Sequence, residues 1–339
     1  MLDSFEETVW PLCDAAELPN ECRPPARNWQ VLFVFSVSKL PSRTSPPQSL
    51  VGPPAGCDIH GFDQWFRLSD RERKLPKFLG NHNRSWIWGR HLVFATLMAG
   101  KWPPLEVHYD SHRFSPFDEL PVSPTAKAQT LREVCEQLGV ELVASTANDL
   151  TRTCRAEDHQ GLCARMPEFP YHSLTELLAT ESPRHFVILD GIQDSFNLGA
   201  IIRSAEALGC GGVILPAKGQ AGINSQSARS SAGAVNWLPI CRVDRLDEAA
   251  GQLKAAGLTL LAATEKSKLS LWNVAIPRRV TIVIGNEGKG VSEELLSHCD
   301  LQVRVPMSGI TSSLNAAVAA GIMLAEVSRQ AGLSPSSTG

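Results

Sequence analysis

No two cysteines of this 339-residue chain stand at the C-x-x-C spacing, although it has nine, at positions 13, 22, 57, 135, 154, 163, 210, 241 and 299. Scattered single cysteines in a chain long enough to bury its own core read as reduced thiols, not staples. Long apolar runs are missing too: VLFVFSV is far too short to cross a bilayer. The start, MLDSFEETVW, lacks the basic-then-apolar order of a signal peptide and the Arg-rich character of a transit peptide, so a cytoplasmic location without a membrane partner is expected. Excess positive charge is absent. A formal net charge of −3 supplies no global pull on nucleic acid, and any polyanion must be met by a local basic patch. His82, His91, His108 and His112 fall at no convincing ligand spacing with cysteines or carboxylates, so no metal is expected. Neither common glycine fingerprint occurs in TIVIGNEGKGVSEELL, residues 281–296. Gly285, Gly288 and Gly290 spell G-x-x-G-x-G, which is neither the dinucleotide G-x-G-x-x-G nor the G-x-x-x-x-G-K-[ST] phosphate loop. Something other than a phosphate cradle is held there, or nothing.

What is present is the composition of a soluble globular protein, 43% hydrophobic and 20% charged, with length for two or three domains. Residues 1–84 read as an N-terminal extension, because LPSRTSPPQSLVGPPAG cannot sustain helix or sheet. The stretch from Arg67 to Arg90 carries seven Arg/Lys against two acids, with Phe78, Trp86 and Trp88 interleaved. It reads either as a solvated helix face or as an RNA contact, with Arg71, Arg73, Lys74, Lys77, Arg84 and Arg90 on phosphates and the rings stacking on bases.

Residues 85–165 alternate helix and strand signals and make a small α/β domain: GRHLVFATLMAG, LEVHY, AQTLREVCEQLG closed by Gly139, then VELVAS. The three prolines of MPEFPYHSLTELLATESPRH mark residues 166–184 as a linker around a short helix. From 185 to 333, strands HFVILD, GGVILP, LTLLAAT, VTIVIG and LQVRVPM alternate with helical stretches, which implies a parallel sheet covered on both faces. Residues 334–339 read as a flexible tail. Ligands of such sheets sit beyond the carboxyl ends of the strands. Three strand-to-helix loops there carry unusual polar chemistry: DGIQDSFNLGAIIR, GNEGKG and PMSGITSSLNAAVAAG. In the last, Ser312 or Ser313 is expected to cap the helix. Asp190 and Asp194 in the first could form a carboxylate pair for acid/base work, but Asp190 is read as a turn former at the strand end.

In this order, the three loops resemble the signature motifs of the SpoU/TrmH branch of the SPOUT superfamily. WGRHLVFATL and HQGLCARM resemble more weakly the start and end of the substrate-binding domain that many members carry. The resemblance implies an α/β fold whose C-terminal parallel-sheet domain closes a deep trefoil knot, and a homodimer with the knots packed together; the small residues of the last helix, Ala320 and Gly321 among them, read either as packing inside one chain or, as favoured here, as serving that interface. It implies S-adenosylmethionine as cofactor, held largely through backbone groups at Gly285, Val305 and Leu314, with Thr264, Gly288 and Met307 completing the wall. A bulky residue at Gly285 or Leu314 is then expected to weaken binding without unfolding the chain. The implied activity is methylation of a ribose 2′-hydroxyl in RNA by the polar set Asn197, Arg203, Glu287, Ser313 and Asn315. Arg203 activates the hydroxyl, unless it merely pairs with a carboxylate such as Glu287. The domain order favours ribosomal RNA over transfer RNA. The alternative is a non-catalytic RNA-binding or ribosome-assembly protein that keeps the fold.

Overall fold

The computed structural model describes residues 85–117, 129–179 and 185–332. Arg71, Arg73, Lys74, Lys77 and Arg84, with the rest of the extension and the 334–339 tail, lie outside them. The first sheet is built from β1 (Ser85–Trp88), β2 (Glu106–Asp110), β3 (Glu141–Ser145) and β4 (Leu162–Met166), interleaved with α1 (Arg90–Ala99), α2 (Leu131–Leu138) and α3 (Ala147–Cys154). Its order is β1-β4-β2-β3, and only β2 and β3 run parallel. The helix limits follow from local chemistry. Thr130 Oγ1 accepts from the Glu133 N–H while the Glu133 carboxylate accepts from the Thr130 N–H, and α2 closes on Gly139 at φ 67°. Thr146 and Asp149 repeat the device at α3.

SWIW, read from the sequence as part of the basic stretch, is strand β1. The Trp86 ring stands edge-on to His108 at 5.1 Å, and Trp88 packs on Leu150, Cys154 and Cys163. Both rings are thus engaged in packing within the small domain.

The linker does not run free. Its helix α4 (Leu174–Leu178) is capped by the Ser173–Glu176 pair, the Tyr171 hydroxyl accepts from the Ile223 N–H at 2.8 Å, and His172 pairs in parallel with Cys241 to extend the second sheet. That sheet contains β5 (His185–Asp190), β6 (Val213–Pro216), β7 (Ile240–Val243), β8 (Thr259–Ala263), β9 (Val280–Gly285) and β10 (Leu301–Val303), all parallel, in the order β10-β8-β9-β5-β6-β7. Helices α5 (Ser195–Ala207), α6 (Ser225–Ser230), α7 (Leu246–Ala255), α8 (Glu293–His298) and α9 (Ala316–Gln330) accompany it. β5 and β9 are continuous apolar runs because both faces of a parallel sheet are covered. They pair with Asp190 opposite Gly285, at the place where the strand order reverses direction. The carboxyl ends of these two strands are the natural ligand site of the fold.

The last helix corrects one expectation. Its cap is Asn315, whose Oδ1 accepts from the N–H groups of Ala317 and Val318 at 2.9 and 3.3 Å, so Ser312 and Ser313 belong to the preceding loop. Some of its small residues pack inside the chain, as the within-chain reading expects, while Ala325 is exposed. Ala320 is 0% exposed, and a Cβ at Gly321 would sit 3.9 Å from Ser204 of α5. A side chain enlarged at Ala320 would strike its own core before it met a partner.

The two sheets share packing. Gly233, at φ +87°, lets the chain approach so closely that a Cβ there would stand 2.9 Å from Ala95 of α1, and Asn236 Nδ2 donates to Thr96 Oγ1 at 3.1 Å. Described cysteines are free thiols, and burial pushes Cys163 and Cys210 up to about 12. Among the described residues no helix is long and apolar enough to cross a membrane, and no three His, Cys, Asp or Glu are grouped to hold a metal.

Candidate active site

A cavity of about 300 Å³ opens where the sheet analysis places a ligand, at the ends of β8 and β9. Gly285, Gly288, Thr264, Val305, Met307 and Leu314 all line it, so the whole wall inferred from the sequence is assembled in one place. Ser313 and Glu287 join them. Gly285 is required by backbone contact. A Cβ there would lie 2.1 Å from both Gly290 C and Val291 N, where the GNEGKG loop folds back over the strand end.

The loop owes its shape to Asn286, which the sequence reading passed over. Its backbone exchanges hydrogen bonds with Gly290 at 3.0 and 2.9 Å, its Oδ1 accepts from Gly288 N and Lys289 N, and its Nδ2 donates to Gly191 O at 2.7 Å. The first and second motifs are thereby clamped together. An asparagine inside a glycine-rich turn was the available signal, since its side chain readily bonds backbone two residues on. Asp190 and Asp194 are committed likewise: Asp190 Oδ2 accepts from Ser292 N, and Asp194 Oδ1 caps α5 through Asn197 N.

Three of the polar residues join into one chain. Glu287 is a carboxylate and can only accept, so Asn197 must turn its amide Nδ2 to Glu287 Oε1, at 2.9 Å. Asn197 then offers its oxygen to Asn315 Nδ2, at 3.0 Å, which leaves Asn315 Oδ1 for the start of α9. Residues separated by 118 positions are thus ordered by a single run of donors. Arg203 is not in this run and does not line the cavity. It sits on α5 nearly two turns beyond Asn197, exposed, with no ion pair or hydrogen bond among the described residues. Pairing with Glu287 is therefore not what holds it.

The lining contains two carboxylates, Glu265 and Glu287, and no Lys, Arg or His. Such a wall disfavours phosphates and suits a ligand that carries positive charge. In the small domain, Arg90 opens α1 and lies over the rings of Phe94 and Phe114 at 5.5 and 5.4 Å. His159 of HQG is structural. It is 4% exposed, its Nδ1 accepts from Gly161 N at 3.0 Å, and its Nε2 faces Thr151 Oγ1 at 3.2 Å.

Fold and site together define a parallel-sheet α/β protein with a cofactor cavity at its switch point and a polar centre beside it. Residues 184–325 match the SpoU rRNA Methylase family. YacO of Bacillus subtilis, described as a TrmH family tRNA/rRNA methyltransferase, is 30% identical over 208 residues, which are 60% of this chain and 83% of YacO. The chain belongs to the SpoU/TrmH family of methyltransferases. The SpoU methyltransferase AviRb of Streptomyces viridochromogenes, solved in complex with the cofactor AdoMet, superposes with a TM-score of 0.61 at 27% identity over 80% of this chain and 98% of that one. A structure described as an RNA 2′-O ribose methyltransferase gives 0.56 at 26% identity, covering 74% of this chain and 90% of its own. An uncharacterised tRNA/rRNA methyltransferase of Mycolicibacterium smegmatis is 36% identical over 202 residues, and the chain spans 58% of itself and 64% of that relative.

Proposed function

We propose that the protein methylates a ribose 2′-hydroxyl in RNA with S-adenosylmethionine, ribosomal RNA being favoured over transfer RNA. The observation that carries this reading is the run Asn315–Asn197–Glu287 standing beside a cavity whose wall holds carboxylates and no basic group. The residues present fit the cofactor. Adenosine needs a few fixed backbone N–H and C=O groups and an apolar wall, supplied around Gly285, Gly288, Val305, Met307 and Leu314, and the acidic lining suits a ligand bearing a sulfonium and an ammonium. Bound there, the group would supply an electrophilic methyl.

The chain's own part is to orient the ribose and to favour charge on its oxygen. Asn197, fixed from both sides, presents a rigid polar edge where the strands of the switch point end. Ser313, exposed on the wall, adds a hydroxyl to the same rim. Arg203 supplies the positive charge against which the attacking oxygen loses its proton. A guanidinium keeps its charge at any working pH, so its role is to stabilise and position, with the proton passing to a substrate phosphate or water.

The same reading includes the knot and a homodimer in the cytoplasm. Support for the dimer comes from apolar side chains left outside around the cavity loop and the start of α9: Met307, Ile310, Leu314 and Val318 are 40%, 106%, 37% and 51% exposed. The small domain ahead of the catalytic sheet is the support for ribosomal RNA.

Calorimetry with S-adenosylhomocysteine in the presence of a chelator tests the cofactor, and tritium transfer to total RNA from a strain lacking the gene tests the acceptor. Saturable binding and ribose methylation are expected. No binding at millimolar ligand would overturn the reading. Asn315→Asp separates scaffold from site, because the new carboxylate still caps α9 but can no longer donate to Asn197. Melting temperature should stay within about 2 °C, whereas methyl transfer should fall by about tenfold or more, the usual consequence of an unpaired group in a site. Asn315→Ala should also lose the cap, about 1 kcal/mol.

A further inference from the structure

Outside the cavity, Phe196 is unexplained. It directly precedes Asn197 on the first turn of α5, yet its side chain is 56% exposed. Burial alone would have placed a polar residue there. The ring faces a separate depression of about 440 Å³ whose other walls are Trp88, Gln226, Arg229 and Ser230, drawn from β1 and α6. Two of these walls are rigid. The Arg229 guanidinium lies over the Trp88 ring at 4.6 Å and grips the Asp158 carboxylate, which also accepts from Trp88 Nε1 at 2.8 Å. That bond to Arg229, with the indole bond, holds the Asp158 carboxyl below the usual carboxylate range. The α5 side is fixed too, since Ser230 Oγ donates to Ser195 O at 3.3 Å and Asn224 Nδ2 to Ser195 Oγ at 2.9 Å. Gln226 is exposed and its side-chain amide has no partner among the described residues.

We infer that this depression is a base slot for a nucleotide adjoining the methylated one in a single-stranded segment of RNA, with Phe196 as its stacking platform. The inference rests on the methyltransferase reading and extends it to the acceptor strand. Flexible side chains on a surface make poor platforms. Here a guanidinium is already held over an indole, an aromatic ring projects beside it, and a free side-chain amide can meet a base edge, the combination by which unstacked bases are held. Position decides the occupant: the ring is one residue from Asn197, so a nucleotide in the slot lies next in the strand to the ribose at the polar centre. Charge decides the mode. Arg229 is already neutralised by Asp158, so the slot holds by stacking and does not depend on phosphate neutralisation.

The test compares wild type with Phe196→Ala and Phe196→Tyr, using total RNA from the deletion strain as methyl acceptor at several salt concentrations. Removing one stacked base typically costs about tenfold to a hundredfold. We expect Phe196→Ala to lower kcat/KM for RNA by that factor, mainly through KM, with an unchanged salt slope, and Phe196→Tyr to return to within about threefold of wild type. Binding of S-adenosylhomocysteine should not change, because an exposed ring supports no packing that the cavity needs. An alanine variant within twofold of wild type, a tyrosine variant as poor as alanine, or a flattened salt slope would overturn the slot while leaving the methyltransferase reading intact. A wild type inert towards that RNA would remove both.

Discussion

Arg203→Ala should lose about 100- to 1,000-fold in single-turnover methylation while its affinity for S-adenosylhomocysteine and its melting temperature stay where they are. The size follows from the usual cost of deleting one aimed charge-stabilising donor. The two constancies follow from the structure. Arg203 is exposed, holds no partner among the described residues and contributes nothing to the cavity wall, so its removal leaves neither an unpaired carboxylate nor a gap. Its neighbours on α5, Ile201 and Ile202, carry the packing at 0% exposure. Arg203→Lys should recover little, since an ammonium keeps the charge but loses the planar fork that binds two acceptors at once. An alanine variant within tenfold of wild type would take Arg203 out of the mechanism.

Gly285→Ala should abolish measurable cofactor binding and also lower the melting temperature by several degrees. From the sequence, a side chain at this position is expected only to occlude the ligand. The structure adds the second effect. A single methyl would stand 2.1 Å from the backbone of Gly290 and Val291, so the turn closed by the two Asn286–Gly290 hydrogen bonds must move as a whole. Overpacking of this kind costs about 1 to 3 kcal/mol, and each kcal/mol lowers the midpoint of a domain this size by about 2 to 4 °C. Leu314→Ser is the contrasting variant. Leu314 is 37% exposed, so its loss should weaken S-adenosylhomocysteine binding with little change in stability. Calorimetry paired with thermal melts separates the two, and a Gly285→Ala protein that melts like wild type would refute the close-approach account.

These variants also mark how far the residues could be read without coordinates. HFVILD and VTIVIG are legible as strands because both faces of a parallel sheet demand unbroken apolar runs, whereas the cavity wall is legible only through the resemblance of the segments holding Gly285, Val305 and Leu314 to the family's motifs. β7 was not. Its four residues, ICRV, are too short for periodicity to stand out, and it is held in the sheet by β6 on one side and His172 on the other, a neighbour distant in sequence. The start of α9 is ambiguous for a related reason: Ser312, Ser313 and Asn315 are all good caps, and in the fold it is Asn315 that accepts from Ala317 N and Val318 N while also reaching Asn197. SWIW was misjudged because charge around it outweighed its alternation in the reading, whereas pairing with β4 decides its state. The small residues of α9 signalled close helix contact correctly but could not say with which helix.

The shared packing between the two sheets fixes a distance. To swing the small domain away from the catalytic sheet, Ala95 would have to leave its place against Gly233, and Asn236 Nδ2 would have to give up Thr96. The interval between Arg90 on α1 and the polar centre on α5 is therefore held by packing within the scaffold. Under the proposed function, an RNA that met both would have to span that interval, the strand bending to make up any difference.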